Sequence, residues 1–288
     1  MRFGGPAPCG TSILLFQAGF RHISPMATLV FDIETSAVPL ESFDESSQEY
    51  LMRPASRLPT EVEQEAKREE LTRMMNLWPF TAQVVCVAMI NAETLRGQVI
   101  FIADDFESNT RAAAGVDFAP VMDEVELLNQ FWAVARHYDK VVTFNGRQFD
   151  IPFLYLRSAQ LDVPITRKNW LGYRFATEPH CDLAEQLTFY NVSGRDGAAR
   201  RFNLDFYCRV FGIESPKSHG VTGMDVNQLM EEERYEEIAE YCLRDGAQDA
   251  TDGHQLVSQR EHHVVQEVSH QITKVLYRWQ GVVVEEHE

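Results

Sequence analysis

The chain has 288 residues, 44% of them hydrophobic and 24% charged, so it is long enough to bury a substantial core and too apolar to be a disordered chain. Its formal net charge of −17 excludes a broadly basic surface that coats nucleic acid, though not a local groove, and no apolar run approaches the roughly 20 residues that span a bilayer. Five cysteines with no C-x-x-C pair argue against a disulfide framework and for a reducing, cytoplasmic setting.

Residues 1–25 mix Gly, Pro and Ser around a short apolar patch, Ile13 to Phe16, and no persuasive cleavage site follows it. They read as a disordered or non-native leader with Met26 as the natural start, and one domain is expected over residues 26–256. Ala27 to Ile33 is apolar on both faces, as a central strand is. A long polar connection runs from Ser36 to Phe80 and holds one exposed helix, Glu61 to Met75, announced by Pro59 and Thr60. Gln83 to Ile90 and Gly97 to Ala103 are β-rich runs joined by a short polar turn, hence an antiparallel pair, and a polar loop comes next. Cys86, inside the first of these runs, is expected to be core.

Asp123 to Tyr138 carries Val125, Leu128, Phe131, Trp132 and Ala135 at helical spacing, with Asp123 placed to cap the helix. Lys140 to Phe144 is the next strand and Asp150 to Arg157 the next helix. Strands first, then a helix-strand-helix alternation, imply an α/β sheet of mixed direction. The second half reads as helical: Leu183 to Tyr190, Leu204 to Phe211, Val226 to Met230, and a long helix from about Arg234 to beyond Asp249. Over residues 257–288 an apolar stripe including Val268, Ile272 and Trp279 forms a helix ending near Gly281. It packs back onto the domain or, in the sharper reading, makes a homodimer contact. His254, His262, His263 and His270 near it fit no tight ligand spacing and read as solvated surface.

The chemistry begins at Leu29 to Thr35, LVFDIET. In a strand, side chains at i and i+2 share a face, so Asp32 and Glu34 project together. Two carboxylates on one buried spot repel each other, and the remedies are protonation or a cation between them. A divalent metal site is the sharper reading; a strand end reaching solvent is the plainer one. Two further stretches add to it. FNGRQFD, Phe144 to Asp150, follows a strand and opens a helix, and YCLRD puts Tyr241 and Asp245 one turn apart on a single helix face.

Together these stretches resemble the DEDD 3′-5′ exonucleases with a ribonuclease H-like (RNase H-like) fold, in the tyrosine subgroup, and specifically the exonuclease domain of family B DNA polymerases. The likeness runs roughly from Thr28 to Gln255: D-x-E at Asp32 and Glu34, N-x-x-x-F-D at Asn145, Phe149 and Asp150, and Y-x-x-x-D at Tyr241 and Asp245. It implies an α/β fold with a mixed five-stranded sheet flanked by helices. Little chain follows Asp245, so a stand-alone exonuclease is expected.

The resemblance further implies two Mg²⁺ or Mn²⁺ ions, with Asp32 bridging both, Glu34 and Asp245 completing one site, and Asp150 holding the other through water. Tyr241 orients the attacking water, since an unperturbed tyrosine pKa of about 10 makes it a poor base at neutral pH. Asn145 and Phe149 meet the 3′-terminal nucleotide by hydrogen bond and stacking, the plainer readings being a turn Asn and a core Phe. Thr35 contacts the terminal sugar through its backbone. Lys217 supplies a supporting cation, or is a solvated loop lysine. Arg147, Arg195, Arg200 and Arg201 are phosphate contacts or surface loop residues. Asp182 in HCDL reads first as a helix cap. The expected partner is the 3′ end of a single-stranded nucleic acid, DNA favoured over RNA, with nucleoside monophosphates released. A catalytically silent RNase H-like binding or scaffold module is the alternative, and an endonuclease or integrase-like use of the fold is a third.

Overall fold

The computed structural model describes residues 27–246, apart from 93, 95, 104–111, 114, 177, 192–196, 211–222 and 224, and apart from the side chains of 112, 113 and 244–246. The leader at residues 1–25 and everything expected beyond residue 246, the apolar C-terminal stripe and its histidines included, lie outside the described residues. No helix among the described residues is long and apolar enough to cross a membrane.

Among the described residues seven strands form one sheet: β1 (Thr28–Ala37), β2 (Ala82–Asn91), β3 (Gly97–Ile102), β4 (Ala112–Ala113), β5 (Val116–Val121), β6 (Lys140–Thr143) and β7 (His180–Asp182). Their order is β4-β5-β3-β2-β1-β6-β7. Within it, β3, β2, β1, β6 and β7 make a mixed core in which only β2 is reversed, the ribonuclease H-like arrangement. β5 and the short β4 extend the sheet beyond β3, so it has seven strands where five were expected. Val116 to Val121 lay in the expected polar loop, and Pro120 hides the strand in the sequence. Among the described residues β4 pairs with β5 at Val116 and Asp117 and not at Pro120, so the missing Pro120 N–H breaks no bond to β4.

β1 is the middle of this core because both its faces are covered. Leu29, Phe31 and Ile33 point toward α3 (Glu124–Ala135) and α4 (Asp150–Gln160). There Phe31 packs on Phe131 at 5.4 Å and on Trp170 at 5.6 Å, and Phe131 meets Trp132 edge-on at 4.8 Å. The Trp132 indole N–H donates to Ser158 Oγ at 2.8 Å, which satisfies its one buried polar atom. The buried Glu124 carboxylate accepts from Val84 N and from the Arg157 guanidinium, tying β2, α3 and α4 together. Asp123 caps α3 as its sequence position predicts. On the opposite face α7 (Val226–Glu231) and α8 (Tyr235–Gly246) pack on a second apolar cluster that includes Val85, Ala88, Phe101 and Ile238.

Between β1 and β2 stands a helical hairpin, α1 (Glu45–Ser56) and α2 (Glu61–Met74). α2 is the expected helix, begun by a reciprocal capping box between Thr60 and Glu63. α1 lay in the expected polar connection: it contains Pro54 and buries only Ala55, so neither apolar periodicity nor propensity marks it. Its start is written in Asp44, whose carboxylate accepts from Ser47 N at 3.0 Å. Two short helices, α5 (Leu183–Leu187) and α6 (Leu204–Val210), follow β7. α5 ends earlier than its apolar spacing predicts because Phe189 and Tyr190 take left-handed backbone, φ 52° and 63°.

Candidate active site

The site grows from a β-bulge. β1 and β2 pair in strict register up to Glu34 opposite Cys86, then slip by one, with Thr35 opposite Val84. The extra residue, Val85, breaks the alternation of β2, so Val85 and Cys86 both face α8 while Val84 and Val87 face the other core. Asp32 and Glu34 face that same side. Cys242, on α8, donates its Sγ–H toward the Asp32 carbonyl at 3.7 Å. Ligand atoms of Asp32, Glu34 and Cys242 all lie within 4.8 Å of one another, with Asp32 half-buried and Glu34 buried. Close carboxylates on a covered strand are an anionic donor set, and hard oxygen atoms are what Mg²⁺ and Mn²⁺ prefer.

A third carboxylate comes from the other edge of β1. β6 pairs with β1 only over Thr28 to Val30, which leaves the rest of that edge open. The turn after β6 fills the gap, and Ile33 N donates to Asp150 Oδ1 at 3.3 Å, so Asp150 is tied to the amide between Asp32 and Glu34. Asp150 is 2% exposed. Burial pushes its carboxyl up to about 7, and the Asp182 carboxylate pushes the same way. A carboxyl raised in this manner is one that a bound cation would hold ionised; Asp32 and Glu34 lie close enough to share a divalent metal, and Asp150 stands beside them at the Ile33 amide, outside their cluster with Cys242.

The turn itself is over-determined. Asn145 takes φ 68°, a conformation Asn tolerates better than most residues. Gly146 has no room for a side chain, since a Cβ would collide with the Thr143 hydroxyl that accepts the Gly146 N–H at 3.1 Å. The same hydroxyl meets His180 Nε2 at 2.8 Å. Burial lowers His180 to about 4 despite the Asp182 carboxylate, with Arg147 adding to the lowering, so the imidazole is neutral at ordinary pH. Asp182 holds the turn from below: it accepts from Asn145 N and Arg147 N, each at 2.9 Å, and from Ala184 N at 2.9 Å and Glu185 N at 3.3 Å. It is the expected helix cap and also the anchor of the turn.

The remaining expected residues fall as follows. Tyr241 is buried beside Cys242 in the α8-side cluster. Asp245 is on α8 one turn after Tyr241, and its side chain lies outside the described residues. Asn145 keeps a buried amide oxygen with no hydrogen-bond partner among the described residues. Phe149 is half-buried against the α4-side core, 5.5 Å from Phe153. The Thr35 hydroxyl is turned away to Asn76 O at 2.8 Å, leaving only its backbone toward the strand end. Arg147 is ion-paired to the buried Glu185 at 3.0 Å rather than held out as a solvated cation. Lys217 and Arg195 lie outside the described residues; Arg200 is exposed and Arg201 half-buried. Sequence reasoning missed Cys242, although it sits inside the YCLRD motif. It also missed Asn227, which accepts from Ala37 N and donates to Asn76 Oδ1, both at 3.0 Å, pinning α7 to the end of β1.

A mixed sheet whose five-strand core has β2 alone reversed, with acids gathered at β1 in the middle of that core, is a ribonuclease H-like α/β domain with a carboxylate cluster. The chain belongs to the family described as "Predicted 3'-5' exonuclease related to the exonuclease domain of PolB", which matches residues 82–249. Asn145, Asp150, Tyr241 and Asp245 fall inside that span; Asp32 and Glu34 precede it and join the site through β1. DNA polymerase 1 of Saccharolobus solfataricus is 24% identical over 171 residues, 56% of this chain and 18% of that protein. DNA polymerase 1 of Sulfolobus acidocaldarius is 26% identical over 159 residues, 51% of this chain and 18% of that protein. The chain thus spans about a fifth of the length of these relatives. The family B DNA polymerase structure from Pyrobaculum calidifontis aligns with a TM-score of 0.42 at 16% identity, covering 77% of this chain and 24% of that one.

Proposed function

We propose that the protein is a two-metal-ion 3′-5′ exonuclease of the DEDD tyrosine type, acting on the 3′ end of single-stranded nucleic acid, DNA in preference to RNA. The observation that carries this reading is the bond from Ile33 N to Asp150, which gathers a third acid onto the amide between Asp32 and Glu34. Asp32, Glu34 and Asp150, with Asp245 from α8, are the residues that would hold Mg²⁺ or Mn²⁺. When bound, the ions supply Lewis acidity and neutralise charge at the phosphate. The protein's own groups do the positioning. Tyr241 orients the attacking water one helical turn from Asp245, acting as a hydrogen-bonding group. The Asn145 amide oxygen accepts from the terminal nucleotide, and the backbone at Thr35 approaches its sugar. The preference for DNA rests on the polymerase relatives.

The test is digestion of matched 5′-labelled single-stranded DNA and RNA with Mg²⁺ or Mn²⁺. A shortening ladder that EDTA abolishes, with DNA consumed faster, is expected, and Asp32→Ala should remove it. Tight binding without product under either metal would replace this reading with the silent binding module. Undiminished digestion by Asp32→Ala would remove the site assignment.

A further inference from the structure

A surface beside the Asn145 turn has a composition unlike the rest of this acidic chain. Tyr173 is 75% exposed, Phe175 55%, Phe189 58% and Phe206 45%, and most of these rings stand in two groups. Tyr173 meets Phe175 at 5.6 Å and Phe175 meets Tyr190 at 4.9 Å, while Phe202 stacks on Phe206 at 4.5 Å with the planes 20° apart. Single exposed hydrophobics need no explanation, but contiguous exposed rings do.

Arginines are interleaved with them. The Arg174 guanidinium lies 6.0 Å from the Phe175 ring centre and that of Arg200 lies 5.0 Å from Phe202. Residues 167–209 hold seven Lys and Arg against five Asp and Glu, in a chain whose net charge is −17. Two of those five acids, Asp182 and Glu185, are buried, and Glu185 is bracketed by both Arg147 and Arg174. Setting those two aside, the stretch holds seven cations against three acids, a basic balance in its sequence. An apolar protein partner does not call for guanidinium groups laid on rings; unpaired nucleotides do, since their bases stack on aromatic faces while their phosphates need cations.

The backbone is held to present these rings. Phe189 and Tyr190 are consecutive aromatic residues at positive φ, a conformation costly for bulky side chains. It persists because Tyr190 N donates to Glu185 O at 2.7 Å, Arg174 donates to Tyr190 O at 3.0 Å, and the Tyr190 hydroxyl donates to Phe175 O at 3.2 Å. The surface also adjoins the site. Tyr207 packs on Phe144, the residue before Asn145, at 6.1 Å, and Arg147 donates to Gly172 O at 3.5 Å.

We propose that Tyr173, Phe175, Phe189, Phe202 and Phe206, with Arg174 and Arg200, form a stacking platform for the unpaired strand that leads into the 3′ site. The platform extends the proposed exonuclease reading to the body of the substrate, and it predicts binding that requires neither metal nor hydrolysis. The test uses the full chain in EDTA with 5′-fluorescein oligodeoxythymidylates of about 6 and about 20 nucleotides, and with an oligomer carrying 2-aminopurine. Affinity should rise with length, fall with salt, and exceed that for a blunt duplex, and 2-aminopurine fluorescence should be quenched by stacking. Phe175→Ala with Phe206→Ala should weaken the longer strand by about tenfold or more. Phe175→Leu with Phe206→Leu, which keeps apolar bulk without a π face, should lose the quenching too. Unchanged affinity and quenching in both double variants would overturn the platform even if the hydrolysis ladder runs normally. Self-association abolished by the same substitutions, with oligonucleotide binding intact, would overturn it in favour of a protein interface. Retained, ring-dependent binding without hydrolysis would keep the platform and remove only the exonuclease reading.

Discussion

On the α3 and α4 side of β1, the strand presents Leu29, Phe31 and Ile33 to a cluster of aromatic rings, whereas on the α8 side it presents Asp32 and Glu34 to thiols. The first face gains free energy by excluding water. The second does the reverse. Burial pushes the Cys86 and Cys242 thiols up, and the acids beside them add to that push, so this wall resists further negative charge and a bound cation would relieve it. One strand thus serves as scaffold on one side and as a charge trap on the other, and the two faces should respond to substitution in opposite ways.

The largest expected effect is on the trap. Asp32→Asn keeps the side-chain volume and removes one charge, so hydrolysis should fall about a thousandfold or more while the urea midpoint in EDTA holds or rises. A protein that loses stability as well as activity would blur the contrast. On the scaffold side, Trp132→Ala should cost about 3–5 kcal/mol in urea denaturation, from lost burial and the cavity left behind. A cost below about 1 kcal/mol would mean that the aromatic face is not what holds the sheet. Gly146→Ala tests the turn that joins the faces. Its methyl group has no place beside Thr143, so about 1–3 kcal/mol and a loss of hydrolysis should appear together.

A further effect is one of pH. Asp150 rises from 3.8 to about 7 in the folded, metal-free protein, so the unfolded chain gives up this proton first. Its contribution to stability is complete below about pH 4 and is lost as pH rises through about 7. Urea midpoints in EDTA should decline across that window, Asp150→Asn should flatten the decline, and Mg²⁺ should restore the wild-type protein at pH 7.5. A flat profile without metal would place Asp150 in a more polar setting than its burial indicates.

Much of the scaffold was legible in the sequence because burial leaves periodic marks. The α3 stripe with its Asp123 cap, the β2 and β3 pairing and the apolar β1 all stand where the spacing places them. α1 and β5 were not legible, and both hide behind a proline, Pro54 in an exposed helix and Pro120 on a sheet edge, each tolerated by surroundings that the local sequence does not reveal. The D-x-E, N-x-x-x-F-D and Y-x-x-x-D residues could be read, but what holds them could not. The Val85 bulge is a slip between two strands, and Asp182 lies 37 residues from Asn145. Such partners emerge only when the chain is closed on itself.

One carboxylate, that of Asp182, accepts four amide hydrogens, two from the Asn145 turn and two from the start of α5. An opening that moves the Asp182 side chain breaks all four bonds together. In native-state hydrogen exchange the amides of Asn145, Arg147, Ala184 and Glu185 should therefore behave as a single opening unit, sharing one free energy and one denaturant slope. In Asp182→Asn they should separate into two units, with the turn exchanging faster than α5.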